Sequence, residues 1–182
     1  KSAWIEQARM RMLVRHPKQV IEPPYSTRSH TLRLYPCACR TIRTRVGEGI
    51  IEVRYPMELR YEAAEVQDAI RKGIEQAWRT EAQADLPQRT ARLAGQLGFR
   101  CGAVTVRNAR TRWGSCSARD DISLSIHLMK LPDELIDYVI IHELCHTIHK
   151  NHGPKFHKLL DRLTGGHHLE LRRRLKTYST RW

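Results

Sequence analysis

The chain has 182 residues, of which 41% are hydrophobic, and this is enough to bury a sizeable core in one compact unit. Its formal net charge is +13. No apolar run is long enough for a membrane span, and the basic N-terminal stretch lacks the apolar core of a secretory signal. The composition therefore argues against a membrane or secreted protein and favours a cytoplasmic one.

Three strands are predicted near the start of the chain, after a short helix over residues 3–15. Each strand is a short run with β-branched or aromatic residues, bounded by turn-forming residues. The runs cover residues 30–35, 41–46 and 50–55, and residues 47–49 form the turn between the last two. Residues 1–60 are therefore expected to be the β-rich part of the same unit.

A helix is predicted next, because apolar residues recur every four positions from residue 62 to 78. Leu86 and Pro87 are expected to interrupt it, since proline removes a helical hydrogen bond and clashes with the preceding turn. A second helical run then reaches Leu97, and Gly98 is expected to stop it.

Two further strands are predicted, over residues 103–107 and 121–129. The second alternates isoleucine and leucine with polar residues, so it is expected to be half-buried, with Ser125 and His127 on the polar face. The C-terminal part is expected to be helical over residues 154–163 and 169–176.

The segment HELCH, residues 142–146, is the most informative motif. It follows a predicted helix start at Leu131–Pro132 and an apolar stripe with steps of three and four residues. On a helix, His142 and His146 lie one turn apart on one face with Glu143 beside them, an arrangement typical of catalytic zinc sites. The pattern predicts a metal-dependent hydrolase that binds one Zn²⁺ per chain.

A catalytic zinc needs a third protein ligand, and three later histidines are candidates. His149 lies about 10.5 Å along the helix from the first histidine, too far for one ion on a straight helix. Asn151 can adopt the left-handed conformation that ends helices, and residues 153–154, glycine and proline, break the chain again. His152 sits in this reversal and is the predicted ligand, with His157 in reserve.

These residues carry a family resemblance. The run TRWGSCS at residues 111–117, the helix leading into HELCH, and the pair Asn151–His152 followed by Phe156 together resemble the YgjP-like metallopeptidases. These are zincin-type proteins related to the SprT and WLM groups, and the resemblance runs from about residue 25 to the C-terminus. It implies that His152 is the third ligand.

The resemblance also implies a fold. It predicts the α+β class, with the HELCH helix packed on a small mixed sheet in a zincin-like catalytic part over residues 61–182. Two departures flank the expected site: Ser125-Ile126-His127 stands where many relatives have asparagine, tryptophan and arginine, and His157 replaces a common tryptophan. The candidate substrate-binding residues are Arg112, Trp113, Ser125, His127 and His157.

The expected mechanism is peptide hydrolysis by a zinc-activated water, with Glu143 as the general base that passes the proton to the leaving amine. By residue type alone, the oxyanion could be stabilised by Arg112, His127, His157 or Tyr178. Tyr138 is expected on the helix surface. The strand over residues 121–129 is either an edge that pairs with an extended peptide or an internal strand, and the sequence leaves both readings open.

Two other functions compete with a peptidase. One is a metal-dependent nucleoside triphosphate pyrophosphohydrolase, an activity also attributed to some YgjP-like proteins, in which basic residues hold phosphates. The other is a nucleic-acid-associated protein with a SprT-like protease role. Both ends of the chain are basic, including residues 172–174, three consecutive arginines, so nucleic acid is a candidate partner beside a peptide or protein substrate.

The five cysteines are expected to be reduced thiols. Cys37 and Cys39 are too close in sequence for an ordinary disulfide, and they lack the second pair that a zinc site needs, so small buried side chains in or beside a strand are expected. Cys116 and Cys145 lie inside the motifs, which also favours a reducing compartment.

Overall fold

The computed structural model describes residues 20–181, and the helix predicted over residues 3–15 lies outside this range. Within it the chain forms two three-stranded sheets and four α-helices, which confirms the predicted α+β class. None of the helices in the described part is both long and apolar enough to cross a membrane.

The first sheet consists of the three strands predicted near the N-terminus. They are β1 (Thr31–Cys37), β2 (Arg43–Gly47) and β3 (Ile50–Pro56). The central strand β3 pairs parallel with β1 and antiparallel with β2, through the predicted tight turn, where Glu48 and Gly49 have positive φ. Alternation in β3 buries Ile51, Val53 and Tyr55 beneath the sheet and leaves the other face to solvent.

Helix α1 (Ala64–Leu97) runs 34 residues without interruption, so the break predicted at Leu86 and Pro87 is wrong. Pro87 removes one backbone hydrogen bond, but Leu86 and Thr90 on either side of it are fully buried, and the Thr90 hydroxyl donates to the Leu86 carbonyl at 2.7 Å. Packing of the helix on both sheets outweighs the local cost of about 3 kcal/mol. The helix stops at Gly98 as predicted, with φ 72°.

The second sheet has the order β4–β6–β5, built from β4 (Val104–Arg107), β5 (Gly114–Cys116) and β6 (Ile122–Ser125). Strand β6 pairs parallel with β4 and antiparallel with β5. It is therefore an internal strand, which excludes the edge-strand reading of residues 121–129.

The strand predicted over residues 121–129 is also too long. After Ser125 the chain turns into a 3₁₀-helix, Ile126–Lys130, whose first turn is capped by the Ser125 hydroxyl accepting from the His127 N–H at 3.3 Å. The change from strand to 3₁₀-helix ends the two-residue alternation, and both Ser125 and His127 are buried instead of facing solvent.

Helix α2 (Asp133–Ile148) carries the HELCH segment and starts one residue later than predicted, with Pro132 at its N-cap. Its first turn is fixed to α1 by Arg89, a side chain only 10% exposed that pairs with Asp133 and Asp137. Helices α3 (Pro154–Leu163) and α4 (His168–Leu175) follow and pack against α2, which confirms the predicted helical C-terminal part.

Two of the five cysteines depart from the expectation of reduced thiols. Cys37, at the end of β1, and Cys39 form a disulfide, with Cα atoms 5.3 Å apart, because the chain bends sharply after the strand. Both side chains are half-buried rather than buried. Cys101, Cys116 and Cys145 are free.

Candidate metal centre

Helix α2 and the reversal after it bring three imidazoles together. His142 and His146 stand one helical turn apart, with ring centroids separated by 5.0 Å. The helix ends at Ile148, the next residue His149 is extended, and α3 begins at Pro154. Asn151 does not adopt the left-handed conformation that the sequence suggested, because the described non-glycine residues with positive φ are Glu48 and Asp120.

His152 reaches back from this reversal to both helical histidines. Its Nε2 lies 3.0 Å from the Nε2 of His142 and 3.1 Å from the Nε2 of His146. The three candidate ligand atoms all lie within 4.8 Å of one another. The fully buried ring of Phe156 lies behind all three, with centroid separations of 4.6 to 4.9 Å. Local helix geometry and the chain reversal together form this three-histidine group.

The donor set of this group fits a metal cation. A neutral imidazole has one N–H, which can point at only one of two neighbours, so three converging nitrogens leave lone pairs facing each other. The Nδ1 of His146 donates to the His149 carbonyl at 3.0 Å, which leaves its Nε2 as the ligand atom. Nitrogen ligands of a tetrahedral zinc ion would be separated by about 3.3 Å, a few tenths of an ångström more than the two distances from the Nε2 of His152.

The electrostatics of the group also suit metal binding. Burial, followed by the neighbouring imidazoles His146 and His152, lowers the pKa of His142 to about 3. This ring is therefore neutral near pH 7, the form in which histidine binds metals.

Glu143 lies between the two helical histidines in sequence and is buried, with 6% of its surface exposed. Strand β5 comes so close that a Cβ placed on Gly114 would lie 2.8 Å from the Glu143 Cγ and Oε1. Burial raises the pKa of Glu143 to about 7, and the charge of Arg112 opposes that rise. A carboxyl group with a pKa near neutrality is suited to accept and return a proton.

A cavity of about 350 Å³ opens beside Glu143 and His142. The second sheet and helix α2 form one wall of it, and the C-terminal segment forms the other. Its remaining lining residues are Arg112, Trp113, Gly114, Tyr138, Val139, Arg172, Leu175, Lys176 and Tyr178. Two of the predicted substrate-binding residues, Arg112 and Trp113, are thus on the cavity wall, together with Tyr178.

Ser125 and His127, also predicted to bind substrate, do not line this cavity. The Ser125 hydroxyl donates to the Ala109 carbonyl at 2.8 Å. His127 is fully buried, with its Nε2 3.0 Å from the Asn108 side-chain oxygen and its ring against Trp78. Burial, followed by the charge of Lys130, lowers the pKa of His127 to about 4. Both side chains are therefore packed in the interior and away from this cavity, and their role in substrate binding stays a prediction.

His157 and Tyr138 both contact His168, a histidine that the sequence analysis did not single out. The Tyr138 hydroxyl lies 3.1 Å from the Nδ1 of His168, whose Nε2 lies 3.2 Å from the Nδ1 of His157. Tyr138 is buried, not on the helix surface as predicted, because α4 covers this side of α2. His157 therefore faces His168 and stands outside the three-histidine group.

The C-terminal arginines, whose clustering in the sequence made nucleic acid a candidate partner, point to different places. Arg172 lines the cavity, and Arg174 pairs with Glu134. No local sequence signal marks Arg172 or Lys176 as cavity residues, because they reach the site only through the docking of α4 on α2.

A zincin-like metallopeptidase is the class that this arrangement of helix, sheet and histidines indicates. The sequence model of the YgjP-like metallopeptidase domain matches residues 1–178, and the chain belongs to this family. It is therefore a metal-dependent hydrolase of the metallopeptidase type, which confirms the family resemblance of the motifs.

Two solved structures are similar to part of the chain. The metallopeptidase zymogen jannalysin of Methanocaldococcus jannaschii is 21% identical, with a TM-score of 0.46 over 51% of this chain and 95% of its own. The metallopeptidase zymogen abylysin of Pyrococcus abyssi is 23% identical, with a TM-score of 0.45 over 50% of this chain and 92% of its own. No curated protein sequence matches the chain.

Proposed function

We propose that the protein is a zinc-dependent peptidase in which His142, His146 and His152 hold one zinc ion and Glu143 is the general base. The observation that carries this proposal is the convergence of three Nε2 atoms beside the buried carboxyl group of Glu143. A purely structural zinc site is normally closed by four protein ligands and has no use for such a base.

A bound zinc ion would supply a Lewis acid that lowers the pKa of a water molecule and polarises the substrate carbonyl. Glu143 accepts the proton of the attacking water and returns it to the leaving amine. Gly114 allows this role, because the absence of a side chain lets β5 pass directly over the carboxyl group. Arg112 and Tyr178, both on the cavity wall, are the predicted oxyanion-stabilising residues that the geometry supports.

An extended peptide has an edge strand to pair with. In the second sheet β5 lies at one edge, bonded to β6 on one side, and it is the strand next to Glu143. Pairing along this edge would hold the peptide by main-chain hydrogen bonds across the three-histidine group. The edge strand of this proposal is thus β5, in place of the internal strand β6.

The experiment that tests the proposal is the substitution Glu143→Gln, which keeps the size of the side chain but removes the base. We expect hydrolysis of a quenched fluorescent peptide library to fall at least about a hundredfold, while metal content and thermal stability stay at the wild-type level. A variant that binds metal and hydrolyses the library at the wild-type rate would disprove the role of Glu143.

A second candidate substrate is a nucleoside triphosphate, and one observation favours it. Among the described residues that line the cavity, Arg112, Arg172 and Lys176 are basic and Glu143 is the only acidic one. Such a cavity attracts phosphates as well as acidic peptides. Assays with nucleoside triphosphates and with neutral peptides distinguish the two: in a pyrophosphohydrolase, Arg172→Gln with Lys176→Gln lowers triphosphate turnover, and the wild type cleaves no peptide.

A further inference from the structure

The outer face of the first sheet is an exposed basic surface far in sequence from the metal centre. Strand pairing places residues side by side in two rows across the sheet. One row is Arg33, Glu52 and Arg45, and the next is Tyr35, Arg54 and Arg43. Directly opposed residues share a face, and we call these six residues the sheet face.

The charge of the sheet face is strongly positive. Its strands carry four arginines and a single acidic residue, Glu52, which pairs with Arg54 at 2.9 Å. Among the described residues, no acidic side chain forms an ion pair with the other three arginines, and all three are exposed. Like charges opposed across neighbouring strands repel each other, so the face gains from an anionic ligand.

An aromatic ring accompanies the charge. Tyr35 is 45% exposed although aromatic residues are usually covered, and the guanidinium carbon of Arg54 lies 5.9 Å from its ring centroid. Ile50, two residues before Glu52 and on the same face of β3, is 42% exposed. An open sheet with an exposed ring among arginines is suited to stack a base and to hold the adjoining phosphates.

We propose that the sheet face binds single-stranded nucleic acid. Neighbouring strands lie about 4.8 Å apart, so Arg33 and Arg45, on either side of the central strand, stand about 10 Å apart. The second row lies two residues, or about 7 Å, further along the strands. This area matches a short stretch of one strand, with two or three phosphates on arginines and a base on Tyr35. A duplex offers no unstacked base to the ring, and RNA and DNA single strands share the chemistry that the face recognises.

The test is fluorescence anisotropy of the zinc-loaded full chain with labelled RNA and DNA single strands of about 12 nucleotides and with a DNA duplex. We expect both single strands to bind more tightly than the duplex at about 50 mM salt, and to weaken steeply towards about 200 mM. Tyr35→Ala should weaken single-strand binding at least about fivefold, the lower end of the range for one stacked base. A preference for RNA over DNA would assign the ligand to RNA.

Two variants of equal charge complete the design. The face variant changes Arg33, Arg43 and Arg45 to glutamine. We expect it to bind single strands at least about tenfold more weakly than wild type. The slope of log K against log salt concentration should be shallower by about 2, because each lost phosphate contact removes about 0.7. The control variant changes Arg79, Arg92 and Arg100 to glutamine, three exposed arginines outside the sheet, and should bind within about twofold of wild type.

The proposal is overturned if single strands do not bind at the low-salt end, if both triple variants lose equal affinity, or if the duplex binds as well as single strands and Tyr35→Ala has no effect. Circular dichroism and peptide hydrolysis check each variant, and both should be at the wild-type level, because the sheet face contains no residue of the metal centre. Loss of binding in a face variant with native fold and activity supports the proposal.

Discussion

His152 is the residue on which the proposed ligand set depends, because it comes from a chain reversal and not from the helical motif. We expect His152→Ala to lower the metal content after dialysis well below one ion per chain, since two imidazoles alone leave a zinc site incomplete. His157→Ala is the matched control, because the Nδ1 of His157 lies 3.2 Å from His168 and its ring, 6.4 Å from that of His152, contributes no atom to the three converging nitrogens. Elemental analysis measures the metal content of both variants. Retention of metal in His152→Ala and its loss in His157→Ala would mean that the third ligand is His157.

Gly114 provides a test of how closely the base is positioned. A methyl group on Gly114 would lie 2.8 Å from Glu143, so the carboxyl group has to move. We expect Gly114→Ala to lower peptide hydrolysis by about tenfold to a hundredfold while metal content is retained, because displacement of a catalytic group by a fraction of an ångström to an ångström is costly.

Gly95→Ala is the control for this substitution. In the part of the chain that the structure describes, no atom lies within 4 Å of a Cβ added at Gly95, and the residue is inside α1. The change should stabilise the helix by about 0.5 to 1 kcal/mol and leave hydrolysis unchanged. Wild-type hydrolysis by Gly114→Ala would contradict the proposed position of the base.

At the residue scale, the sequence predicted those parts of the site that depend on neighbouring residues in the chain. The helical spacing of His142 and His146 and the breakers after His149 are short-range signals, and the structure brings these histidines and His152 together. The cavity residues Arg172 and Lys176 depend on how α4 docks on α2, so no neighbouring residue could reveal them. A role of Arg172 and Lys176 in substrate binding is a proposal from their place on the cavity wall.

At the scale of elements, the loop before β1 is held to α1 by one buried carboxyl group. Glu81, with 5% of its side chain exposed, accepts from the Ser29 N–H at 2.9 Å, from the hydroxyls of Thr27 and Ser29, and from the His30 Nδ1 at 2.9 Å. Burial alone would raise the pKa of Glu81, but the hydrogen bonds from Thr27, His30 and Ser29 outweigh burial and lower it.

Glu81→Gln should therefore lower the free energy of unfolding by about 1.5 to 3 kcal/mol at pH 7, the range for hydrogen bonds to charged groups. Because the pKa of Glu81 is lower in the folded state, its stabilisation is present above the ordinary carboxyl pKa and is lost as the pH falls through the folded-state value. The variant should lose less stability than wild type over that acidic range. Urea titrations at several pH values measure this, and Glu58→Gln, at an exposed position, should change little.

Some elements differed from their predictions because tertiary packing overrode a local rule. Pro87 normally ends a helix, yet α1 continues because Leu86 and Thr90 are fully buried beside it. The alternation over residues 121–129 predicted a single strand, but only Ile122–Ser125 is paired, since the Ser125 hydroxyl caps a 3₁₀-helix. The strands of the first sheet were predictable because their alternation and the turn at Glu48 and Gly49 are local.

At the scale of the whole molecule, α1 connects the β-rich part to the part that carries the metal centre. A Cβ on Gly73 would meet Ile51 at 2.7 Å, which shows how tightly the first sheet packs on the helix. Further along, Trp78 packs on His127, and Arg89 binds the start of α2. Helix α1 thus packs against both parts, and we expect that neither part keeps its core without the other.

We therefore predict a single cooperative unfolding transition for residues 20–181. We expect zinc to raise the Tm of this whole transition. Zinc at about a hundred times its dissociation constant stabilises the folded state by about 2.7 kcal/mol, which corresponds to a rise in Tm of about 5 to 10 °C for a chain of this length. Differential scanning calorimetry of chelator-treated and zinc-loaded protein measures both. Two separate transitions, with only the second one raised by zinc, would mean that the first sheet folds independently of the metal centre. A single transition that zinc does not raise would instead contradict the zinc site, since any ligand bound only to the folded state must stabilise it.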